Sequence, residues 1–206
     1  MKRNICFMMM VLSCLFTLSA QNIDEIYVNM PQSTNPYLDK QDRFELVEYA
    51  KVGQLDTVVN LLGGKSTLVT YDPEQQLIVI SHTANSLSAY KKISQNDSTY
   101  IIGLIETVKA PIASSTVLFY DAQWNLLPYR KPLFESKDFL DISLHNDEKA
   151  LRELMPAFVS ATFSTIADAI DYQNNSIEML PPDEQKKYKD KMHALSVYFT
   201  QLFDKK

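Results

Sequence analysis

The segment from residue 66 to residue 127 most constrains the fold, because its apolar residues recur with the period of β-strands between turn residues. The strand-like runs lie at residues 67–71, 77–81, 87–93, 100–108 and 116–120. Asp72 and Pro73 separate the first two runs and are typical turn residues. Residues 100–108 are apolar on both faces, as expected of a central strand. The segment therefore predicts an antiparallel meander.

Helical patterns precede this sheet. A helix is predicted to begin at Asp39, which can cap it, and to end near Gly53. A second short helix is predicted at residues 55–62, where Leu55, Val58, Val59 and Leu62 fit the helical spacing. The two would form a helical pair. Before them, residues 26–30 alternate and indicate a short edge strand within an otherwise extended leader.

The last third of the chain mixes both patterns. Residues 147–154 predict a helix, whereas residues 158–170 allow either strand or helix, and we prefer strand because apolar side chains alternate there. Residues 171–175 resemble a turn before a further strand at residues 177–180. A final helix is predicted from Pro182, with an apolar stripe formed by Tyr188, Met192, Leu195, Phe199 and Leu202. This stripe would pack on the sheet; a coiled-coil partner or a membrane surface is the alternative.

These elements predict an α+β fold, namely an antiparallel sheet or meander with an N-terminal helical pair and a C-terminal helix packed on the sheet. The predicted organisation is a signal peptide at residues 1–20, an extended leader at 21–38 and a single α+β domain at 39–206. About 185 residues remain after the signal peptide, which suits one domain.

The first twenty residues have the three parts of a secretory signal. Lys2 and Arg3 are basic, residues 5–18 are mostly apolar, and small residues end at Ala20. We expect a periplasmic or extracellular protein that begins at Gln21. The alternative is a lipoprotein, because residues 11–14 resemble a lipobox, and lipidation at Cys14 would anchor the chain to a membrane.

Composition excludes several kinds of site. Cys6 and Cys14 both lie within the signal segment, so a chain that begins at Gln21 has no disulfide and no thiol nucleophile. A net charge of −5 argues against a nucleic-acid partner. The four glycines form no phosphate-binding motif, and we expect no cofactor.

Signatures of catalysis are also missing from the sequence. His82, His145 and His193 have no metal-ligand spacing, so no metal site is predicted. Known motifs for serine nucleophiles are absent. Glu106, on an apolar strand where it could be buried, and Asp121, at a turn, are the two acids that a glycan hydrolase would use. No catalytic residue is assigned, and we favour a protein that is not an enzyme.

The segment around the single tryptophan supplies the candidate ligand site. Its members are Tyr120, Asp121, Trp124 and Tyr129, at a predicted turn between two strands. Aromatic faces beside an acid suit the binding of sugars or peptides. Equally, aromatic residues in hairpins are ordinary cross-strand packing and aspartate is an ordinary turn residue. We favour the turn, and a site only if Trp124 is exposed.

The order of motifs along the chain resembles a known family. The segments are PYLDKQDR at residues 36–43, VNLLGGKS at 59–66, IETVKAP at 105–111 and VLFYDAQW at 117–124. Together they resemble domain-of-unknown-function family 3256, exported proteins of Bacteroidales. The resemblance implies an extracytoplasmic setting in a Gram-negative bacterium, and no activity. In such bacteria, the tripeptides at residues 97–99 and 56–58 also resemble an O-glycosylation signal, which would modify Ser98 in the first.

The function expected from the sequence is an exported, non-catalytic binding or assembly module of the bacterial envelope. Its ligand would be a protein or a glycan. The alternatives are a glycan hydrolase that uses the two acids, and a purely structural envelope protein.

Overall fold

The computed structural model describes residues 21–95 and 99–203. The expected signal peptide, the lipidation alternative at Cys14 and the glycosylation residue Ser98 lie outside the described residues. No helix among the described residues has both the length and the apolar character needed to cross a bilayer.

Five α-helices and nine strands make up the described chain. The helices are α1 (Ile23–Val28), α2 (Lys40–Lys51), α3 (Glu148–Glu153), α4 (Pro182–Tyr188) and α5 (Phe199–Leu202). The first six strands are β1 (Thr57–Val59), β2 (Lys65–Asp72), β3 (Leu77–Thr83), β4 (Ser86–Ser94), β5 (Tyr100–Val108) and β6 (Ser114–Tyr120). The last three strands are β7 (Val159–Phe163), β8 (Ala169–Asn174) and β9 (Leu195–Tyr198). Short 3₁₀ helices lie at Gln32–Thr34, Ser136–Phe139, Ile142–Leu144, Ser176–Met179 and Lys189–Lys191.

The strands form two antiparallel sheets. The large sheet has the order β1-β2-β3-β4-β5-β6, so each strand pairs with the next one along the chain. The small sheet has the order β7-β8-β9. This arrangement confirms the predicted α+β class and the meander, and the five strands predicted between residues 67 and 120 are all present.

Each face of the large sheet buries its own apolar core. One face packs against α1 and α2, with a core that includes Ile23, Tyr27, Leu46, Ile78, Tyr90 and Leu104. The other face packs against the small sheet and α5, with a core that includes Ile93, Ile105, Phe119, Phe163, Ile170 and Phe199. Side chains alternate between the faces of a strand, which explains why β5 is apolar on both sides. The two cores make a three-layer fold.

Gly103 lets the two sheets approach closely. A Cβ atom at this position would lie 2.8 Å from Cζ of Phe163, whose ring covers the glycine. In the large sheet, Gly103 on β5 pairs with Lys91 on β4. The ring of Phe163 therefore fills the layer between the sheets directly beside Lys91.

Helix α2 begins as the sequence predicts. The carboxylate of Asp39 accepts a hydrogen bond from the backbone N–H of Asp42, and the carboxylate of Asp42 accepts one from the N–H of Asp39. Gly53 follows the helix with φ = 79°, a conformation that glycine adopts without strain. On this helix Phe44 is exposed, whereas Arg43 is buried.

Arg43 joins α2 to the residues before it. Its guanidinium donates hydrogen bonds to the carbonyl oxygens of Leu38 (2.7 Å), Met30 (2.7 Å) and Val28 (3.1 Å). No carboxylate lies within ion-pair distance among the described residues, so backbone dipoles compensate the buried charge. Arg43 therefore fixes the end of α1 and the loop after it against the domain.

The edge strand expected at residues 26–30 is wrong, because these residues belong to α1 and its C-terminal end. Ile23, Ile26, Tyr27 and Met30 are all buried, and their spacing is that of one helix face. This complete helical pattern outweighs the shorter alternation. The expected extended leader is thus a helix and a loop packed on the large sheet, and α1 with α2 forms the N-terminal helical pair.

The short helix predicted at residues 55–62 is also wrong. The structure has β1 there, followed by a turn in which the side chain of Asn60 accepts hydrogen bonds from the N–H groups of Leu62 and Gly64. Three of the four apolar residues in the helical pattern, Leu55, Val59 and Leu62, are exposed. An apolar stripe without a surface to pack against does not stabilise a helix, whereas pairing with β2 satisfies the backbone.

In the last third, the helix predicted at residues 147–154 is confirmed as α3, and the strand preferred within residues 158–170 is confirmed as β7. The turn predicted at residues 171–175 is wrong, since residues 171–174 lie within β8. The strand predicted at residues 177–180 is wrong as well, because a 3₁₀ helix occupies Ser176–Met179. Pairing with β7 on one side and β9 on the other keeps β8 extended.

The predicted C-terminal helix is present as α5, whose Phe199 and Leu202 pack into the core between the sheets. It is not continuous with the helix that begins at Pro182. The chain leaves α4 at Tyr188, forms β9 and only then enters α5. The apolar residues predicted to form one stripe therefore pack into different cores. Phe199 and Leu202 lie between the sheets, whereas Tyr188 lies in a small cluster formed by α3 and α4.

Candidate functional site

The stretch with the tryptophan is a tight turn. The carboxylate of Asp121 accepts hydrogen bonds from the N–H of Gln123 (2.9 Å) and from the N–H (2.9 Å) and side-chain amide (2.8 Å) of Asn125. These bonds, above all the one from the Asn125 side chain, lower the pKa of Asp121. Trp124 has φ = 63°, as the turn requires. The second of the two strands predicted at this turn is reduced to a single bridge between Tyr120 and Leu126.

The four predicted site residues do not share one surface. The rings of Tyr120 and Trp124 lie 5.4 Å apart and are half-buried against the helix-side core. Tyr129 belongs to the opposite face of the sheet, where its ring packs edge-on against Phe119 and its hydroxyl donates to the carbonyl of Val117. Packing explains these aromatic residues, and their role in ligand binding stays a prediction.

The two acids of the hydrolase alternative are far apart. Glu106 is exposed on β5 and pairs with Thr116 on β6, so the expectation of a buried acid is wrong. Asp121 lies five residues beyond Thr116, which corresponds to about 17 Å at the rise of a strand. Paired glycosidase carboxyl groups lie only ~5–9.5 Å apart. This version of the hydrolase hypothesis therefore fails.

Of the three histidines, only His82 is buried. His82 is buried, its Nδ1 lies 3.2 Å from Oγ of Ser66, and its ring stacks on Tyr37 at a centroid distance of 4.2 Å. Burial lowers the pKa of His82 to about 4. His82 thus belongs to a buried polar cluster with Ser66 and Asn60. Within residues 21–95 and 99–203, no three His, Cys, Asp or Glu side chains are grouped so that they could hold a metal ion.

A cleft of about 850 Å³ lies at one end of the layer between the two sheets. Its walls come from the β2–β3 turn, the end of β4, Asp168 before β8, and the β9–α5 junction. Tyr198 and Phe203 contribute aromatic rings, and the amide side chains of Gln75 and Gln95 contribute hydrogen-bonding groups. Two carboxylates, those of Glu74 and Asp168, are exposed at its rim.

Lys91 is the buried charged residue of this cleft. It is only 6% exposed, and among the described residues its amine has one hydrogen bond, a long one of 3.5 Å to Oε1 of Gln75. Burial lowers the pKa of this amine, and the more distant charges of Asp168 and Asp72 act in the opposite direction. Neither acid forms an ion pair with it. The cleft therefore contains a cation that lacks the partners that buried charges normally have.

The sequence contained one sign of this cleft. On β4, Ala89, Lys91 and Ile93 point to the same face of the sheet, so a lysine replaces an apolar residue at a core position. Because of this lysine, apolar and polar residues alternate only weakly along β4. The rest of the cleft could not be read from the sequence, because its walls come from segments separated by about a hundred residues.

Comparison with solved structures finds a similar fold. A chain described as "Structure of a domain of an uncharacterized protein from Porphyromonas gingivalis W83" superposes with a TM-score of 0.62 and 19% sequence identity. The match covers 80% of this chain and 85% of that chain. At this identity the likeness concerns the fold alone. Its source belongs to the Bacteroidales, in agreement with the resemblance found in the sequence.

Comparison with known sequences places the chain in a family. No curated protein matches it. A family model described as "Protein of unknown function (DUF3256)" matches residues 15–201, nearly the entire chain. The motifs that resembled this family thus lie within the matched region, and the chain belongs to the DUF3256 family of proteins of unknown function.

Proposed function

We propose that the protein is an exported, non-catalytic binding module of the bacterial envelope, and that the cleft beside Lys91 is its ligand site. The observation that carries the proposal is Lys91, a buried lysine that lines a cleft of about 850 Å³ and whose amine has, among the described residues, one long hydrogen bond. Ligand sites are concave and hold a few polar groups that orient the ligand. A ligand with a suitable acceptor would complete the hydrogen bonding of this amine.

Two further observations support this proposal. The first twenty residues have the charge and apolar pattern of an export signal. The acids considered for catalysis, Glu106 and Asp121, are separated by the sheet register, and the buried charged group of the cleft is a cation rather than an acid. A binding role fits these features better than hydrolysis does.

The export part of the proposal is tested by intact mass and N-terminal analysis of the protein from separated cell fractions. We expect a soluble chain that begins at Gln21. A chain in the membrane fraction that begins at a lipidated Cys14 would show that the protein is in the envelope but is anchored rather than free. A chain that retains Met1 in the cytoplasm would refute export.

The binding part is tested with purified residues 21–206 and a panel of saccharides and short peptides prepared from the cell envelope. Thr200 is exposed in the cleft wall, and Thr162 is exposed on β7 outside it. We expect a ligand that binds the wild type and Thr162→Trp but not Thr200→Trp, and that is recovered with unchanged mass. Equal binding by Thr200→Trp would exclude the cleft, and cleavage of the ligand would refute the non-catalytic role.

A further inference from the structure

The amine of Lys91 has an incomplete set of partners. An ammonium group has three N–H donors, and the described residues supply one acceptor, Oε1 of Gln75, at 3.5 Å. Lys91 lies between Leu77 and Gly103 in the sheet, next to the ring of Phe163, and the residue is only 6% exposed. A buried cation in such surroundings is stabilised by an anion that brings its own oxygen atoms.

The carboxylates already at the cleft do not fill this role. Glu74 and Asp168 are both exposed at the rim, and neither lies within 4 Å of Lys91 Nζ as an ion pair. A ligand carboxylate could enter between them and reach the amine, because the cleft is much larger than a water molecule. A ligand that suits this cleft therefore presents a negative group to the amine of Lys91 and meets hydrogen-bonding groups elsewhere.

The other walls indicate what surrounds that negative group. Gln75 and Gln95 offer amide donors and acceptors, and the rim carboxylates offer further acceptors. Such planar polar groups suit a ligand with many hydroxyl groups. Tyr198, which is 51% exposed, presents an aromatic ring that a sugar ring could cover. A fatty acid would leave most of these polar groups without partners, which makes an apolar anion a poor fit.

Building on the proposed function, we infer that the cleft binds an acidic sugar of the uronic-acid type. In this arrangement, the sugar carboxylate pairs with the ammonium group of Lys91, the hydroxyl groups bond to the surrounding amides and carboxylates, and the sugar ring lies against Tyr198. The volume of the cleft accommodates more than one sugar ring.

The test is calorimetric titration with two disaccharides that differ in one group. Cellobiouronic acid carries a carboxylate where cellobiose carries a hydroxymethyl group. We expect the wild type to bind the acid at least about tenfold more tightly, the preference expected of one charge-assisted pair. Equal affinities, or no binding of either sugar at millimolar concentrations, would overturn the inference.

Two variants assign the preference to Lys91. Lys91→Met removes the charge and retains most of the length of the side chain, and we expect it to bind both sugars equally weakly. Lys92→Met is the matched control, because Lys92 also lines the cleft but is more exposed; it should keep the preference within about threefold. A preference for the acid that survives in Lys91→Met would overturn the inference.

The thermal unfolding midpoint separates loss of binding from loss of folding. Lys91→Met should unfold at the same temperature as the wild type or higher, since it removes a poorly paired buried charge. A lower midpoint would show that Lys91 serves the fold and would overturn the inference.

Two further outcomes distinguish the inference from the proposed function. If cellobiose binds as well as the acid and Thr200→Trp abolishes both, the binding module stands and the acidic sugar does not. A short peptide with a free C-terminal carboxylate is the third probe. If this peptide binds more tightly than cellobiouronic acid and Lys91→Met abolishes that binding, the ligand is a peptide terminus rather than an acidic sugar.

Discussion

Replacement of His82 by glutamine is expected to remove a large part of the pH dependence of stability. His82 is 1% exposed, its Nδ1 contacts Ser66, and its Nε2 has no hydrogen-bond partner among the described residues. Burial lowers its pKa from 6.5 to about 4. The folded protein therefore holds this ring in its neutral form at physiological pH.

The sign of the effect follows from the two pKa values. Between pH 6.5 and about 4, the unfolded chain binds a proton at His82 that the folded chain does not bind. The contribution of neutral His82 to the free energy of unfolding is therefore complete above pH 6.5 and falls as the pH is lowered towards 4. With ~1.36 kcal/mol per pKa unit, the loss is about 0.8 kcal/mol at pH 6 and about 2 kcal/mol at pH 5.

The assay is urea unfolding of residues 21–206 at pH 7.5, 6 and 5. The difference in free energy of unfolding between the wild type and His82→Gln should shift by about 2 kcal/mol from pH 7.5 to pH 5, in favour of the variant. Taking this difference cancels the titration of carboxylates common to both proteins. His193 is exposed, so His193→Gln is the matched control for the substitution itself. A difference that stays within about 0.5 kcal/mol over this range would refute the reasoning.

Three further substitutions test the fold, each by urea unfolding at neutral pH. Arg43→Met leaves the three buried carbonyl groups without their donor and should cost about 3–5 kcal/mol; a cost below about 1 kcal/mol would contradict this role. Gly103→Ala forces a methyl group against the ring of Phe163 and should cost about 1–3 kcal/mol, part of which Phe163→Leu in the same chain should restore; no recovery would place the strain elsewhere. Asp39→Ala removes the cap of α2 and should cost about 1 kcal/mol, whereas an unchanged midpoint would show that the cap is dispensable.

The sequence predicted the elements whose signals are local. Asp72 and Pro73 mark the turn between β2 and β3, and the cap formed by Asp39 places the start of α2 within a few residues. In both cases the side chain that gives the signal makes the contact in the structure. Such elements need no knowledge of what they pack against.

The sequence failed where packing decides between two patterns. Residues 55–62 fit a helix, but no layer of the structure covers the stripe that they would form, and pairing with β2 prevails. The apolar residues after Tyr188 keep the spacing of a helix, but Leu195–Tyr198 form a strand because they pair with the edge of β8. A period in the sequence does not reveal whether a partner surface exists.

The cleft beside Lys91 could not be predicted from the sequence, because its residues come together only in the folded chain. The predicted residues around Trp124 are adjacent in sequence but divided between two faces of the sheet. The cleft does the opposite, since it gathers Lys91, Asp168 and Tyr198 from three distant segments. Lys91 at a core position was the single local sign of it.

The packing of α1 has a consequence for the order in which the protein can fold. The N–H of Ile23 bonds to Gln76, 53 residues later, and the side chain of Asn35 bonds to Tyr90, 55 residues later. During synthesis, α1 is therefore complete long before its partners on β3 and β4 exist. Its apolar face stays exposed to solvent until then. Contacts between residues so far apart in sequence also slow folding. The first helix of the described residues is thus among the last to be packed, and an incomplete chain that lacks Tyr90 leaves the apolar face of this helix open to aggregation.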